Sequence, residues 1–477
     1  MSKGHMDRLS GLDASFLTNE KDGSHMHVGG VLVFEGPAPS YQEFVEHIES
    51  RLPLVPRFRQ RLAYPPMGMG RPFWIDDPNF NIRYHVRHTA LPDPGSASQL
   101  RALTSRLFSQ RLDRSKPLWE MYLVVGPDKK RFALINKTHH ALIDGVSGVD
   151  IATVLLDLTP VPPEPADDDW VPSPEPSQAD LAAESIKDAA EAPFELAGRG
   201  LGALTDPSRA ISKASEVAEG LAEVAWNLTS PPPDVPLNVP IGSHRRFAWA
   251  RFQLEDFKRI KNAFGGTVND VVLAVVSGAL RRWLEARGIR PEGLELSALV
   301  PVSIRHEDQH GELGNKLAGM RGPLPVYAED PIRRLEIVRE SMEGLKESKQ
   351  ALGAEAISRF NDFAPPTILA QAGRINFTTR LFNMIVTNVP GPQIPIYLMG
   401  REMQEIFPVA FLPEKHALAI AIMSYNGHVN FGLLADYDSM ADVDLISEYL
   451  IMALGELLEA ADQAGKAKPT QASEVPA

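Results

Sequence analysis

The stretch RFALINKTHHALIDG, residues 131–145, sets the reading of the rest of the chain. Its first half, Arg131–His139, reads as a strand, joined by a Gly-Pro-Asp turn to another at Trp119–Val125. It ends on His139 and His140, and helical spacing resumes from about Val146 to Leu156. A polar cluster between a strand end and a helix start is where a scaffold displays reactive groups. Histidine is scarce, 13 in 477 residues, and this is the one place where two are adjacent.

Three chemistries fit the pattern. One imidazole can act as a general base, because histidine exchanges a proton near neutral pH. Its loop then needs fixed charges to order it, which Asp144 could supply directly or by anchoring an arginine. The histidines and Asp144 could instead bind a metal, though no cysteine exists to complete a ligand set, and His85 and His88 on a predicted strand would point to opposite faces. In the third reading, His139 or His140 is a hydrogen-bonded core residue. A base at this place would activate an acceptor hydroxyl or amine toward an activated acyl group. There is no Gly-x-Ser-x-Gly elbow and no cysteine, so direct transfer from a thioester fits better than an acyl-enzyme.

Composition narrows the class. The 477 residues are 44 % apolar and 23 % charged, as in soluble globular chains. The length suggests two or three domains and an ample core. The net charge of −13 gives no bulk attraction to nucleic acid. The absence of cysteine excludes thiolate nucleophiles, disulfides and iron–sulfur ligation. The first twenty residues lack the apolar core of a signal peptide, and VNDVVLAVVSGAL is too short to span a bilayer. A cytoplasmic location is expected, with any attachment to the inner membrane or lipid droplets peripheral.

Proline punctuates the chain. Seven of its 40 prolines fall in 160–176 and five more in 231–240, so both stretches read as extended linkers. Between them, residues 178–228 are rich in Ala, Glu and Lys, with apolar residues such as Ile211, Val217, Leu221 and Val224 at helical spacing. This reads as a connector helix packed on its own domains, with a membrane-surface helix as the alternative. The divisions are an N-terminal domain over 1–158, a Pro-rich and helical linker over 159–235, a C-terminal domain over 236–465 and a disordered tail over 466–477. In the first domain, strands are predicted at His27–Phe34, Phe80–His88, Trp119–Val125 and Arg131–His139, and helices at Tyr41–Leu52 and Ala97–Leu112. In the second, helices are predicted at Leu254–Phe264, Thr267–Ala286 and Asp442–Ala460. Its strands are expected at Glu295–Ile304, Phe382–Val389, Leu418–Tyr425 and His428–Tyr437. The mixed order predicts two α/β sandwiches.

His139-His140-x-x-x-Asp144-Gly145 resembles the signature of the wax ester synthase/diacylglycerol acyltransferase family, which peptide-synthetase condensation domains and other acyltransferases of the chloramphenicol acetyltransferase-like fold share. Further blocks resemble the first of these in family order: Leu9–Leu17, Met26–Gly30, Pro117–Glu120, Val268–Ala274, Val300–Arg305 and Thr387–Pro392. The resemblance implies two chloramphenicol acetyltransferase-like α/β sandwich domains with mixed sheets and a tunnel between them. It implies an O-acyltransferase that moves a long-chain acyl group from acyl-CoA to diacylglycerol or a long-chain alcohol, with CoA ester as substrate and no cofactor or metal. His140 would be the base beside His139, Asp144 would order the loop through Arg57 or, second, Arg59, and the Gly145 N–H would face the oxyanion. Asn269, Asp270, Asn388 and Gly391 would line the substrate site. Simpler readings stand beside these: Thr267 as N-cap of a helix holding Asn269 and Asp270, Pro117 and Trp119 as packing, and 388–392 as a turn. Two rival functions remain: a condensation-type enzyme fed by a carrier protein, and a non-catalytic lipid-binding protein. The expected partners are acyl-CoA, a lipid acceptor and a membrane or lipid-droplet surface, with a homodimer compatible and no nucleic acid.

Overall fold

The computed structural model describes residues 6–68, 70–142, 155–164, 167–187, 190, 232–303, 317–347 and 381–467. Asp144, Gly145, most of the helix expected over 146–156, most of the connector and the tail from 468 lie outside the described residues. The strands are β1 (Asp7–Arg8), β2 (His27–Glu35), β3 (Gln60–Ala63), β4 (Phe73–Asp76), β5 (Val86–Ala90), β6 (Trp119–Val125), β7 (Arg131–His139), β8 (Arg245–Gln253), β9 (Leu296–Ser303), β10 (Leu317–Leu324), β11 (Met384–Pro390), β12 (Tyr397–Leu398), β13 (Arg401–Val409), β14 (Leu418–Tyr425) and β15 (His428–Asp436). The helices are α1 (Gly11–Asn19), α2 (Tyr41–Arg51), α3 (Ile82–His85), α4 (Ala97–Phe108), α5 (178–187), α6 (Leu254–Phe264), α7 (Val268–Ala286), α8 (Pro331–Glu347) and α9 (Val443–Ala467).

Two six-stranded sheets carry the architecture, ordered β12-β13-β2-β7-β6-β5 and β10-β9-β11-β14-β15-β8, with a small β1-β4-β3 sheet beside the first. Both large sheets are mixed: β5 runs parallel to β6, and β11 runs parallel to β9 and β14. This is the mixed α/β arrangement expected. Strand β7 lies inside its sheet, and every residue from Phe132 to His139 is buried, the apolar Phe132–Ile135 and the polar Asn136–His139 alike. Helix α7 is likewise enclosed, with Val271 to Val276 fully buried, so that stretch is apolar on every face because it is core. Among the described residues, no single helix is long and apolar enough to cross a membrane.

The linear division into halves does not hold at the level of strands. Residues 397–409 fall in the expected C-terminal domain, yet β12 and β13 complete the N-terminal sheet, with β13 antiparallel to β2 from Met403↔Phe34 to Val409↔Gly29. The halves are then locked side by side. Trp249 of β8 stacks on Phe407 of β13 at 4.4 Å, and the Tyr425 hydroxyl donates to the Met403 carbonyl at 2.9 Å. The approach is closest at Gly432 of β15, where a β-carbon would fall 1.8 Å from the Pro408 carbonyl oxygen.

Three local expectations change. Phe80–His88 is not one strand, because the Asn81 side chain accepts from the Arg83 N–H and starts the single turn α3 before β5 begins. His85 is therefore not on a strand with His88. It is buried with Nδ1 2.8 Å from the Trp119 carbonyl, and burial pushes its imidazole down to about 4. Helix α4 stops at Phe108 rather than Leu112, since the buried Lys137 ammonium donates to the carbonyls of Leu107 and Gln110, both at 3.1 Å. The first Pro-rich stretch is fastened rather than loose: Asp168 pairs with Arg59, Glu175 pairs with Arg61, and Ser173 N–H donates to Asp76.

Gly432→Ala tests the tightest contact between the halves. It is expected to cost about 1–3 kcal/mol, since the obstructing atom is backbone. Gly344→Ala, on an open helix position, is expected to be neutral or to stabilise by up to about 1 kcal/mol. Denaturant midpoints at unchanged m-value check both.

Candidate active site

The two histidines continue the strand ladder on opposite sides. The His139 N–H donates to the Leu118 carbonyl at 3.0 Å, and the His140 N–H donates to the Met26 carbonyl at 2.8 Å. Residues 140–142 then form one tight turn at the end of β7. The backbone of the pair is thus fixed by β6 and by the residue preceding β2. Trp119 anchors the β6 side as packing: it is fully buried, donates from Nε1 to the Phe58 carbonyl at 2.8 Å, and stacks on His85.

The two side chains have different surroundings. His140 is half-buried, and its ring lies against Phe16 of α1 with centroids 4.0 Å apart and planes 23° from parallel. Phe411, which follows β13, meets the same ring edge-on at 5.5 Å. His140 therefore sits between an N-terminal helix and a segment from the other half of the chain. His139 is fully buried. Its Nδ1 accepts the Ala141 N–H at 3.1 Å, which assigns the proton of the neutral ring to Nε2. Burial, with His27 next, drives its pKa well below the ordinary histidine value, so the ring stays neutral at physiological pH.

A buried charged cluster that the sequence did not reveal backs His139. Glu20, just after α1, is 1 % exposed at its side chain and bonds Arg114 at 2.5 Å. Its carboxylate lies 3.3 Å from His27 Nε2 and 3.8 Å from His139 Nε2, with Arg111 at 3.5 Å. Burial works to raise the Glu20 carboxyl, but the His27 contact, the nearby His139 imidazole and the Arg114 charge hold it well below the usual carboxylate range. Burial pushes His27 down to about 4. One strand over, Lys137 pairs with Glu120 at 3.1 Å, and Glu120 also binds Arg87 and the Tyr122 hydroxyl. Glu20, His27, Arg114 and Phe411 escaped the sequence reading because their partners are distant in sequence. The only local signal was an acid three residues beyond the block Leu9–Leu17.

The other candidate residues fall in two groups. The first assembles around the α7 N-terminus. Asn388 Nδ2 donates to Asn269 Oδ1 at 3.2 Å, joining β11 to the start of α7. Asp270 forms a capping box with Thr267, accepting from its N–H at 2.7 Å and its hydroxyl at 2.9 Å. The helix-start reading thus accounts for Asp270. Gly391 is needed for close approach, since a β-carbon there would lie 2.2 Å from the Ser424 carbonyl oxygen. The second group is the pair of arginines proposed to hold Asp144. Arg57 contacts Asp7 at 3.1 Å, Gln60 at 3.0 Å and the Trp74 ring, and its expected partner lies outside the described residues. Arg59 pairs with Asp168 and lies over the Trp170 ring.

Residues 9–272 match the wax ester synthase/diacylglycerol acyltransferase catalytic domain, and residues 313–458 match the C-terminal domain of the same family. Two probable diacylglycerol O-acyltransferases of Mycobacterium tuberculosis are similar throughout. One is 32 % identical over 95 % of this chain and 96 % of its own length. The other is 34 % identical over 95 % and 99 %. The wax ester synthase/diacylglycerol acyltransferase of Marinobacter aquaeolei VT8 superposes with a TM-score of 0.65 at 28 % identity, covering 95 % of this chain and all of that one. The starter condensation domain of rhizomide synthetase shares the fold alone, with a TM-score of 0.58 at 13 % identity.

The capping role is open to measurement. Thr267→Ala is expected to cost about 1 kcal/mol of stability through the lost cap. A lowered denaturant midpoint at unchanged m-value checks it.

Proposed function

The chain belongs to the wax ester synthase/diacylglycerol acyltransferase family, and from that premise we propose that it transfers a long-chain acyl group from acyl-CoA to the hydroxyl of diacylglycerol or of a long-chain alcohol, with His140 as general base. The observation that carries this reading is the placement of His140: a half-buried imidazole at a strand end, between Phe16 and Phe411 from the two halves of the chain. A base at such a junction can meet two substrates that arrive by different routes.

The steps follow from that placement. The unprotonated His140 imidazole takes the proton of the acceptor hydroxyl as its oxygen attacks the thioester carbonyl. The tetrahedral intermediate collapses, the carbon–sulfur bond breaks, and the imidazolium returns the proton to the CoA sulfur. No covalent acyl-enzyme and no cofactor are required. The aromatic walls exclude water, which would otherwise compete as acceptor. Gly145 N–H as an oxyanion donor and Asp144 as the loop's fixed charge, held through Arg57, belong to the same reading. So does a tunnel between the halves, with Asn269, Asn388 and Gly391 near the substrate. An apolar acceptor is drawn from a lipid surface, so contact with a membrane or lipid droplet accompanies the reaction.

A thiol-release assay with palmitoyl-CoA decides the matter, run without acceptor, with hexadecanol and with dioleoylglycerol, and with products separated by thin-layer chromatography. Acceptor-dependent CoA release that falls by about 10²–10⁴ in His140→Ala is expected. Release that neither acceptor promotes from folded protein rules out the CoA-dependent reaction. Unchanged release in His140→Ala rules out the base.

A further inference from the structure

We propose that Glu20 is a positioning residue for the catalytic turn, holding His139 and, through it and Phe16, the ring of His140. The inference rests on the reading of His140 as base.

Helix α1 touches both histidines at once. Phe16 and Glu20 are four residues apart and so lie on one face. Phe16 stacks on His140, while the Glu20 carboxylate faces His139 Nε2 at 3.8 Å. The Glu20 N–H donates to the Phe16 carbonyl at 3.1 Å, which ties the two anchor points together. The Ala141 N–H occupies His139 Nδ1, so the ring proton is on Nε2 and points toward the carboxylate. Among the described residues, His139 Nε2 has no hydrogen-bond partner. Contacts of this length commonly tighten when substrate fills a site.

The energetics of Glu20 argue against a passive role. A carboxylate just past a helix C-terminus meets the negative end of the dipole. Burying it adds a desolvation cost that an apolar side chain of similar volume would avoid. The protein offsets both costs with Arg114, which also bonds the Leu17 carbonyl at 2.7 Å, and with Arg111. The groups facing Glu20 come from several elements: His27 on β2, His139 on β7, Arg111 and Arg114 after α4, and Tyr64 after β3, whose phenol senses both Arg114 and Glu20. A charge kept at that expense, beside the residue directly preceding the base in sequence, serves to fix that residue's tautomer and orientation.

The test compares wild type, Glu20→Gln, Glu20→Asp and His140→Ala, measuring kcat and KM with palmitoyl-CoA at saturating acceptor, thermal midpoints, and ¹⁵N-histidine NMR of the His139 ring. Glu20→Gln is expected to lower kcat on the order of tenfold to hundredfold, as misplacement of a reacting group does. KM and the thermal midpoint stay near wild type, and Glu20→Asp recovers part of the loss. His139 is expected as a single Nε2–H tautomer in wild type. Three results overturn the inference: wild-type kcat in Glu20→Gln, a joint loss of kcat and folding that Glu20→Asp does not relieve, or His139 charged or Nδ1-protonated in wild type at neutral pH. The NMR outcome decides even where Glu20→Gln fails to fold. Full activity in His140→Ala would instead remove the base on which the inference rests.

Discussion

Everything at this site depends on two backbone hydrogen bonds at the end of β7. The Leu118 carbonyl holds the His139 N–H, and the Met26 carbonyl holds the His140 N–H. Successive residues in a strand point to opposite faces, so one bond on each side fixes which imidazole goes inward and which outward. His139 turns into the buried charge cluster, and His140 turns toward the junction of the two halves. A slip of one residue in the register His27↔His139 would exchange these roles. The register is secured by Gly29, where a β-carbon would lie 1.9 Å from the Asn136 carbonyl oxygen, so only glycine lets β2 sit this close to β7.

The crossing of β13 into the N-terminal sheet extends the same constraint to the rest of the chain. Because β13 pairs with β2, it delivers Phe411 to His140 and at the same time presses Phe407 on Trp249 and Pro408 on Gly432. The site is therefore not placed between two independently folded bodies. It is built by a strand that the second half contributes to the first. Loosening that junction would move one wall of the His140 ring. The Pro-rich segment supports the same half: by engaging Arg59 and Arg61 it straps residues 168–175 across the small sheet.

Much of this was legible in the sequence. The hairpin of β6 and β7, the helices α6 and α7, and the pairing strands β14 and β15 announced themselves through apolar runs and turn residues. So did the adjacent histidines. What stayed hidden was non-local. Strand β13 has Pro408 within it and no clean alternation, and its partner β2 lies more than 350 residues earlier. The break at Ile82–His85 depends on an Asn81 cap and on a Trp119 carbonyl that no local pattern shows. Asp270 was legible as to place, but the Thr267 capping box explains it without chemistry.

Buried ions are the least legible class of all, because a lone Glu, His or Arg in a sequence reads as surface. Glu20, His27 and Lys137 acquire meaning only once the fold removes them from water. Two such clusters flank β7, one around Glu20 and one around Glu120. They differ in what they touch. In the Lys137–Glu120 pair, Lys137 donates to the end of α4 and Glu120 accepts from Arg87 and Tyr122, so its partners are all structural. The Glu20 cluster ends on His139, directly before His140. The same physical device, a desolvated ion satisfied by counter-charges, thus closes a helix on one side of the strand and orients the motif on the other.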